Sequence, residues 1–233
     1  MAKKTAPETG EKLIKLSPTQ LSLFNNCPRC YWNDKIKGLK RPTGPFPTIL
    51  NAMDQKIKNY FDYYRKTGDM PPNVKLKGNL FKDIALLKSW RNWQSTPLKY
   101  KDPILNIELS GALDDCLTYK QYYMPLDFKL TGYIPKYDYE KYYKTQLSSY
   151  GLMLDAKGYS TCGEGFLLYV IPDEMDFSGI TYITQAYTIK IDINSVKHDM
   201  KCAAMVLRNE VPPEPPETCI YCKYHRARNE INV

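Results

Sequence analysis

The sequence predicts an α/β fold, a central mixed β-sheet of about four or five strands flanked by helices. Two periodicities carry that reading. Tyr122, Met124, Leu126, Phe128 and Leu130 alternate with other residues, which is the two-residue period of a strand. Tyr139, Tyr143, Gln146, Tyr150 and Met153 recur at spacings of four, three, four and three, which is one face of a helix.

Taken in order, residues 1–15 read as a basic tail. Ser17 then caps a short helix with Pro18 at its first position, and Leu21 and Phe24 face inward. That helix delivers Cys27-Pro28-Arg29-Cys30-Tyr31-Trp32. Lys35, Lys37, Lys40 and Arg41 follow in a loop closed by Pro42, Gly44, Pro45 and Pro47. A long helix is expected from Thr48 to Lys66, with Leu50, Met53, Ile57, Tyr60, Phe61 and Tyr64 on one stripe, and it ends at Gly68. Residues 79–93 suggest a second helix. Leu105, Ile107 and Leu109 begin a strand that runs into Gly111, and the Asp127 strand follows. A helix from Asp138 to Lys157, strands over 165–171 and 181–191, and a helix from Asn194 to Leu207 complete the core. A proline-rich link, Val211 to Glu217, leads to Cys219 and Cys222. This suggests one domain over residues 16–225, between tails at 1–15 and 226–233.

The composition is globular, 43% hydrophobic and 25% charged, and the length suffices for a sizeable core. No apolar run reaches the length of about 18 residues that a membrane helix needs, and the N-terminus has no apolar leader segment, so a cytoplasmic location is the default expectation. The net charge of +8 and twenty tyrosines suit a phosphate backbone and unpaired bases. A tyrosine-built core with a solubilising charge accounts for them equally well. Seven cysteines without a secretion signal point to metal or cluster ligation rather than a disulfide framework.

Within Gly111–Lys129, Asp114 closes one apolar run, and Asp127 and Lys129 share the opposite face of the alternating strand. Carboxylates on neighbouring strands suit a hard divalent cation, and a nearby lysine can stabilise an activated hydroxide. An Asp-x-Lys pair alone is more often a solvated face. Asp115 is expected to be the solvated neighbour of Asp114. Gln146 and Tyr150 present an amide and a phenol on one helical face. Cys27/Cys30 and Cys219/Cys222 are two Cys-x-x-Cys pairs, each read as lying in a loop; together they can complete one tetrahedral or cluster site. His225 is a spare candidate ligand. Cys116, Cys162 and Cys202 are read as core or surface thiols.

The order of these pieces resembles the PD-(D/E)xK nuclease superfamily, and within it the RecB-type branch with an iron–sulfur staple, which includes AddB-type nuclease domains and CRISPR-associated adaptation nucleases. The resemblance runs from about Leu16 to Tyr224. It implies a restriction-endonuclease-like core whose N- and C-terminal ends are joined by a cysteine-ligated metal or cluster. It implies Asp114 and Asp127 as ligands of Mg²⁺ or Mn²⁺, with the backbone carbonyl of Phe128 as a further ligand. Lys129 would support the nucleophile, and Gln146 and Tyr150 would support the site. The branch has a histidine on its early helix; the matching position here is Asp54, an oxygen ligand acceptable to either ion. The branch also has one cysteine in front and three behind, whereas this chain has two and two. The resemblance favours a 4Fe–4S cluster, while the paired spacing alone favours a structural Zn²⁺.

The implied function is metal-dependent hydrolysis of DNA, as a deoxyribonuclease and more specifically an exonuclease, on single strands or free ends, in repair, recombination or CRISPR adaptation. No Walker-type phosphate loop is present, so any unwinding would need a helicase partner, and a role in CRISPR adaptation would pair the chain with an integrase. The alternative is a non-catalytic nucleic-acid-binding module that keeps the fold.

Overall fold

The computed structural model describes residues 13–44, 47–134 and 139–231. The expected tail residues 1–12, Pro45 in the basic loop and the expected helix start at Asp138 lie outside them. The elements in chain order are β1 (Ile14–Leu16), α1 (Pro18–Asn26), α2 (Pro28–Lys37), α3 (Thr48–Thr67), β2 (Asn79–Leu80), α4 (Ile84–Arg91), β3 (Lys99–Asp102), β4 (Ile107–Ser110), β5 (Asp115–Tyr119), β6 (Tyr122–Leu130), α5 (Tyr139–Ala156), β7 (Glu164–Asp176), β8 (Gly179–Lys190), α6 (Ile193–Leu207) and α7 (Ile220–Ile231). This is the expected α/β class with mixed sheets. No helix among the described residues is long and apolar enough to cross a membrane.

The described chain divides into two compact units. One comprises residues 13–44, 101–109 and 194–231; the other comprises 47–100, 110–134 and 139–193. In the first unit, β1 pairs in parallel with β4, Ile14 to Leu16 against Ile107 to Leu109. Ser17 caps α1 as predicted, and a full capping box forms: Ser17 Oγ accepts from the Gln20 N–H, and Gln20 Oε1 accepts from the Ser17 N–H. Four sequence expectations need correction here. Lys35 and Lys37 belong to α2, not a loop, because Pro28 starts a second helix immediately after Cys27 and Gly38 ends it in a left-handed conformation. The cysteine pairs therefore sit at helix starts rather than in loops. Ile14 and Lys15, assigned to the tail, are strand residues. Residues 226–231, also assigned to a tail, continue α7.

The second unit is built on a five-stranded sheet ordered β2-β5-β6-β7-β8. β5 and β6 form an antiparallel hairpin, and α5 is the crossover that returns the chain to make β7 parallel to β6. Ile57 and Phe61 of α3 pack on Leu117, Met124, Leu126, Phe128, Phe166, Leu168 and Val170, so α3 covers the apolar face of the sheet. Of the stripe predicted on α3, only Ile57 and Phe61 are buried, and Tyr60 stands exposed. The expected helix over 79–93 is shorter. Asn79 and Leu80 pair with Thr118 and Leu117 instead, and Asp83 caps α4 through the Leu86 N–H.

Candidate active site and candidate metal centre

The β5–β6 register explains why two acids meet. Asp115 lies opposite Leu126 and Cys116 opposite Pro125 in this antiparallel pair, so Asp114, one residue before β5, stands at the end of the register next to Asp127, one residue after Leu126. The two carboxylates are thereby neighbours. Asp114 Oδ2 accepts from the Phe128 backbone N–H at 3.3 Å. Its carbonyl is held by Arg91 Nε at 2.6 Å.

Asp127 is buried. Its Oδ1 accepts from Gln146 Nε2 at 2.8 Å, and the same amide nitrogen donates to Tyr150 Oη at 3.0 Å. Lys129 Nζ lies 2.6 Å from Asp127 Oδ2, a close ion pair without hydrogen-bond alignment, so that oxygen has no hydrogen-bond partner. The ammonium also reaches Gln146 Oε1 at 3.4 Å and stacks 4.3 Å from the centre of the Tyr143 ring. Burial lifts the Asp127 carboxyl to about 7, the charge of Asp114 pushes the same way, and Lys129 and Lys58 pull it back. Burial raises the Tyr150 hydroxyl well above its usual range, keeping it a neutral donor or acceptor.

Asp54 reaches the site through a residue that sequence reasoning missed. Lys58 Nζ lies 2.7 Å from Asp54 Oδ2 and 2.7 Å from Asp114 Oδ1, bridging the two acids. The available signal was spacing alone: Lys58 follows Asp54 by one helical turn. The Phe128 side chain is in the apolar core, and its backbone runs beside Asp114. Asp114, Asp127, Lys129, Gln146 and Tyr150 are thus brought together, with Asp54 joined through Lys58. The acids are not gathered as tightly as the cysteines: among the described residues, the only group of three or more His, Cys, Asp or Glu close enough to hold one metal ion is the cysteine quartet.

The expectation for Asp115 is overturned. It is fully buried on the opposite face from Asp114, where alternation sends it under α3. Arg65 Nη2 meets both its oxygens at 2.7 and 2.6 Å, and Arg91 Nη2 meets Oδ2 at 3.1 Å. Asp62 joins the same network through Arg65 at 3.3 Å and Arg91 at 2.8 Å.

The four cysteines of the two Cys-x-x-Cys pairs converge, and they could hold a metal or a cluster. Their sulfurs all lie within 4.8 Å of one another. Cys27 caps α2 and its Sγ accepts from the Cys30 N–H at 3.4 Å; Cys219 immediately precedes α7 and Cys222 lies in its first turn. Arg41 Nη2 lies 3.6 Å from Cys219 Sγ and its guanidinium stacks on Tyr221. Burial raises the Cys219 thiol, but the Cys222 N–H and the other thiols outweigh it and bring the group down to about 7. His225 is not among the gathered ligands. Cys116 is a buried core thiol, while Cys162 and Cys202 are half-buried.

The chain matches no family model and no curated relative.

Proposed function

We propose that the chain is a metal-dependent nuclease that hydrolyses DNA phosphodiester bonds on single strands or free ends, with the chemistry at Asp114, Asp127 and Lys129. The observation carrying this reading is Asp114 beside the Asp127 strand, its Oδ2 on the Phe128 N–H, with Lys129 at 2.6 Å from Asp127. The donor set suits a hard cation: two adjacent carboxylates, one with a buried oxygen that lacks a hydrogen-bond partner. Asp114 and Asp127 would hold Mg²⁺ or Mn²⁺, with the Phe128 carbonyl and Asp54 as further oxygen donors. When bound, such an ion lowers the pKa of a coordinated water and offsets charge on the scissile phosphate.

The chain's own residues prepare the site for this. Gln146 pins Asp127 through Oδ1 and is itself oriented by Tyr150, while Oδ2 faces the Lys129 ammonium at 2.6 Å and would exchange that ion pair for the metal. Lys129 places a positive charge where a hydroxide and the phosphate oxyanion develop. Arg91 fixes the Asp114 carbonyl, and thereby the position of its side chain. Lys58 offsets one of the two charges of Asp54 and Asp114 and competes with a cation for the same oxygens. The net charge of +8 supports a polyanionic substrate. A helicase or integrase partner is proposed on the resemblance alone.

The test is degradation of end-labelled single-stranded DNA with Mg²⁺ or Mn²⁺. The wild type should cleave it, and Lys129→Ala should be slower by about 100-fold or more. Wild-type protein that binds DNA but is inert with every metal would identify a non-catalytic binding module. Equal activity in Lys129→Ala would remove the assigned chemistry.

A further inference from the structure

We propose that the four cysteines hold one tetrahedral ion, zinc, and not the iron–sulfur cluster that the resemblance implies. Four thiolates bound to one ion at about 2.3 Å stand on a tetrahedron whose edges are about 3.8 Å long. The sulfurs of Cys27 and Cys222 are 3.8 Å apart, those of Cys30 and Cys219 are 3.7 Å apart, and those of Cys30 and Cys222 are 3.7 Å apart. All three distances run between the two Cys-x-x-Cys turns, so they measure the closeness of α2 to α7 rather than the spacing within either turn. In a 4Fe–4S cluster each thiolate binds a different corner iron, which spreads the sulfurs to roughly 6 Å or more. A quartet lying within 4.8 Å has no room for that cube.

The surroundings fit a single thiolate-bound dication. Four thiolates around it leave a net charge of about −2. Arg41, 3.6 Å from Cys219 Sγ, offsets part of that charge, and the Cys30 N–H donates to Cys27 Sγ. Among single ions, the closed tetrahedral all-sulfur geometry is the one zinc takes in structural sites. Four protein ligands close the coordination shell and leave no position for a substrate, so the ion is structural. It links α2 to α7, whose cysteines are up to 195 residues apart in sequence.

The test is metal and acid-labile sulfide analysis of protein purified under argon from cells supplied with both iron and zinc. About one zinc per chain, without sulfide and without brown colour, is expected, and Cys219→Ser should retain less than about a tenth of that zinc. If Cys219→Ser does not fold, cobalt exchange into the wild type supplies the second readout: the visible bands of a tetrahedral cobalt–thiolate site are expected. About four irons with sulfide, one iron without sulfide, or no bound metal would each overturn the assignment. The outcome is independent of the nuclease reading, because it measures metal content and not cleavage.

Discussion

At the residue scale, Asp114 and Asp115 are adjacent in sequence and opposite in role. Asp115 is wholly buried against Arg65, which is itself fully buried, so removing the carboxylate strands a guanidinium in the interior. Asp115→Ala should cost about 3–5 kcal/mol in urea unfolding. Asp114 is partly exposed and meets solvent at the site, so Asp114→Ala should unfold within about 1 kcal/mol of wild type while losing cleavage. Equal destabilisation by the two variants would refute this division. Asp127 carries a pH signature. Burial pushes its folded carboxyl up to about 7, whereas an unfolded aspartate titrates near about 3.9. Between those values the native state holds a proton that the unfolded state has lost. Stability should therefore fall as pH rises from about 4 to about 7. Thermal melts without added Mg²⁺ or Mn²⁺ should show that slope in the wild type and lose it in Asp127→Asn.

At the element scale, the site depends on the register of β5 and β6, and β2 guards the outer edge of β5. Gly78 leads into β2 with φ +92°, and a Cβ there would collide with the Thr118 carbonyl oxygen of β5. Gly78→Ala should thus lower stability by about 1–3 kcal/mol, measured by urea denaturation, while an alanine at exposed Gly44 should change it little. Much at this scale was legible beforehand. Ser17, Pro18 and Gly68 mark helix ends through local hydrogen bonding and backbone freedom, and β6 and α5 announce themselves by period. The extra strand residues at Asn79 and Leu80 were not legible, because a two-residue strand has no period and exists only through its partner β5. α7 was missed because half of its residues, Lys223, His225, Arg226, Arg228, Asn229 and Glu230, are charged or polar, so that 226–231 read as a tail.

At the scale of the whole molecule, the cysteine quartet that could hold a metal and the candidate active site lie in different compact units. Removal of the proposed zinc with a strong chelator should raise amide exchange in α2 and α7, which lose their shared ligand set. Exchange in β6, β7 and α5 should stay close to its starting level, as followed by hydrogen exchange and mass spectrometry. Uniform loss of protection in both units would contradict that division.

By itself the sequence determined the α/β class, the face that Asp127 shares with Lys129, the Gln146/Tyr150 pair and the two Cys-x-x-Cys turns. These are local facts, set by backbone period and by ligand spacing within one turn. Only the tertiary structure decided which acids meet, because strand register and α3 packing bring Lys58 between Asp54 and Asp114 and bury Asp115 under Arg65 and Arg91. It also decided how closely the cysteine pairs approach. That distance depends on where α2 and α7 pack, across more than 180 intervening residues, and no spacing within either turn encodes it.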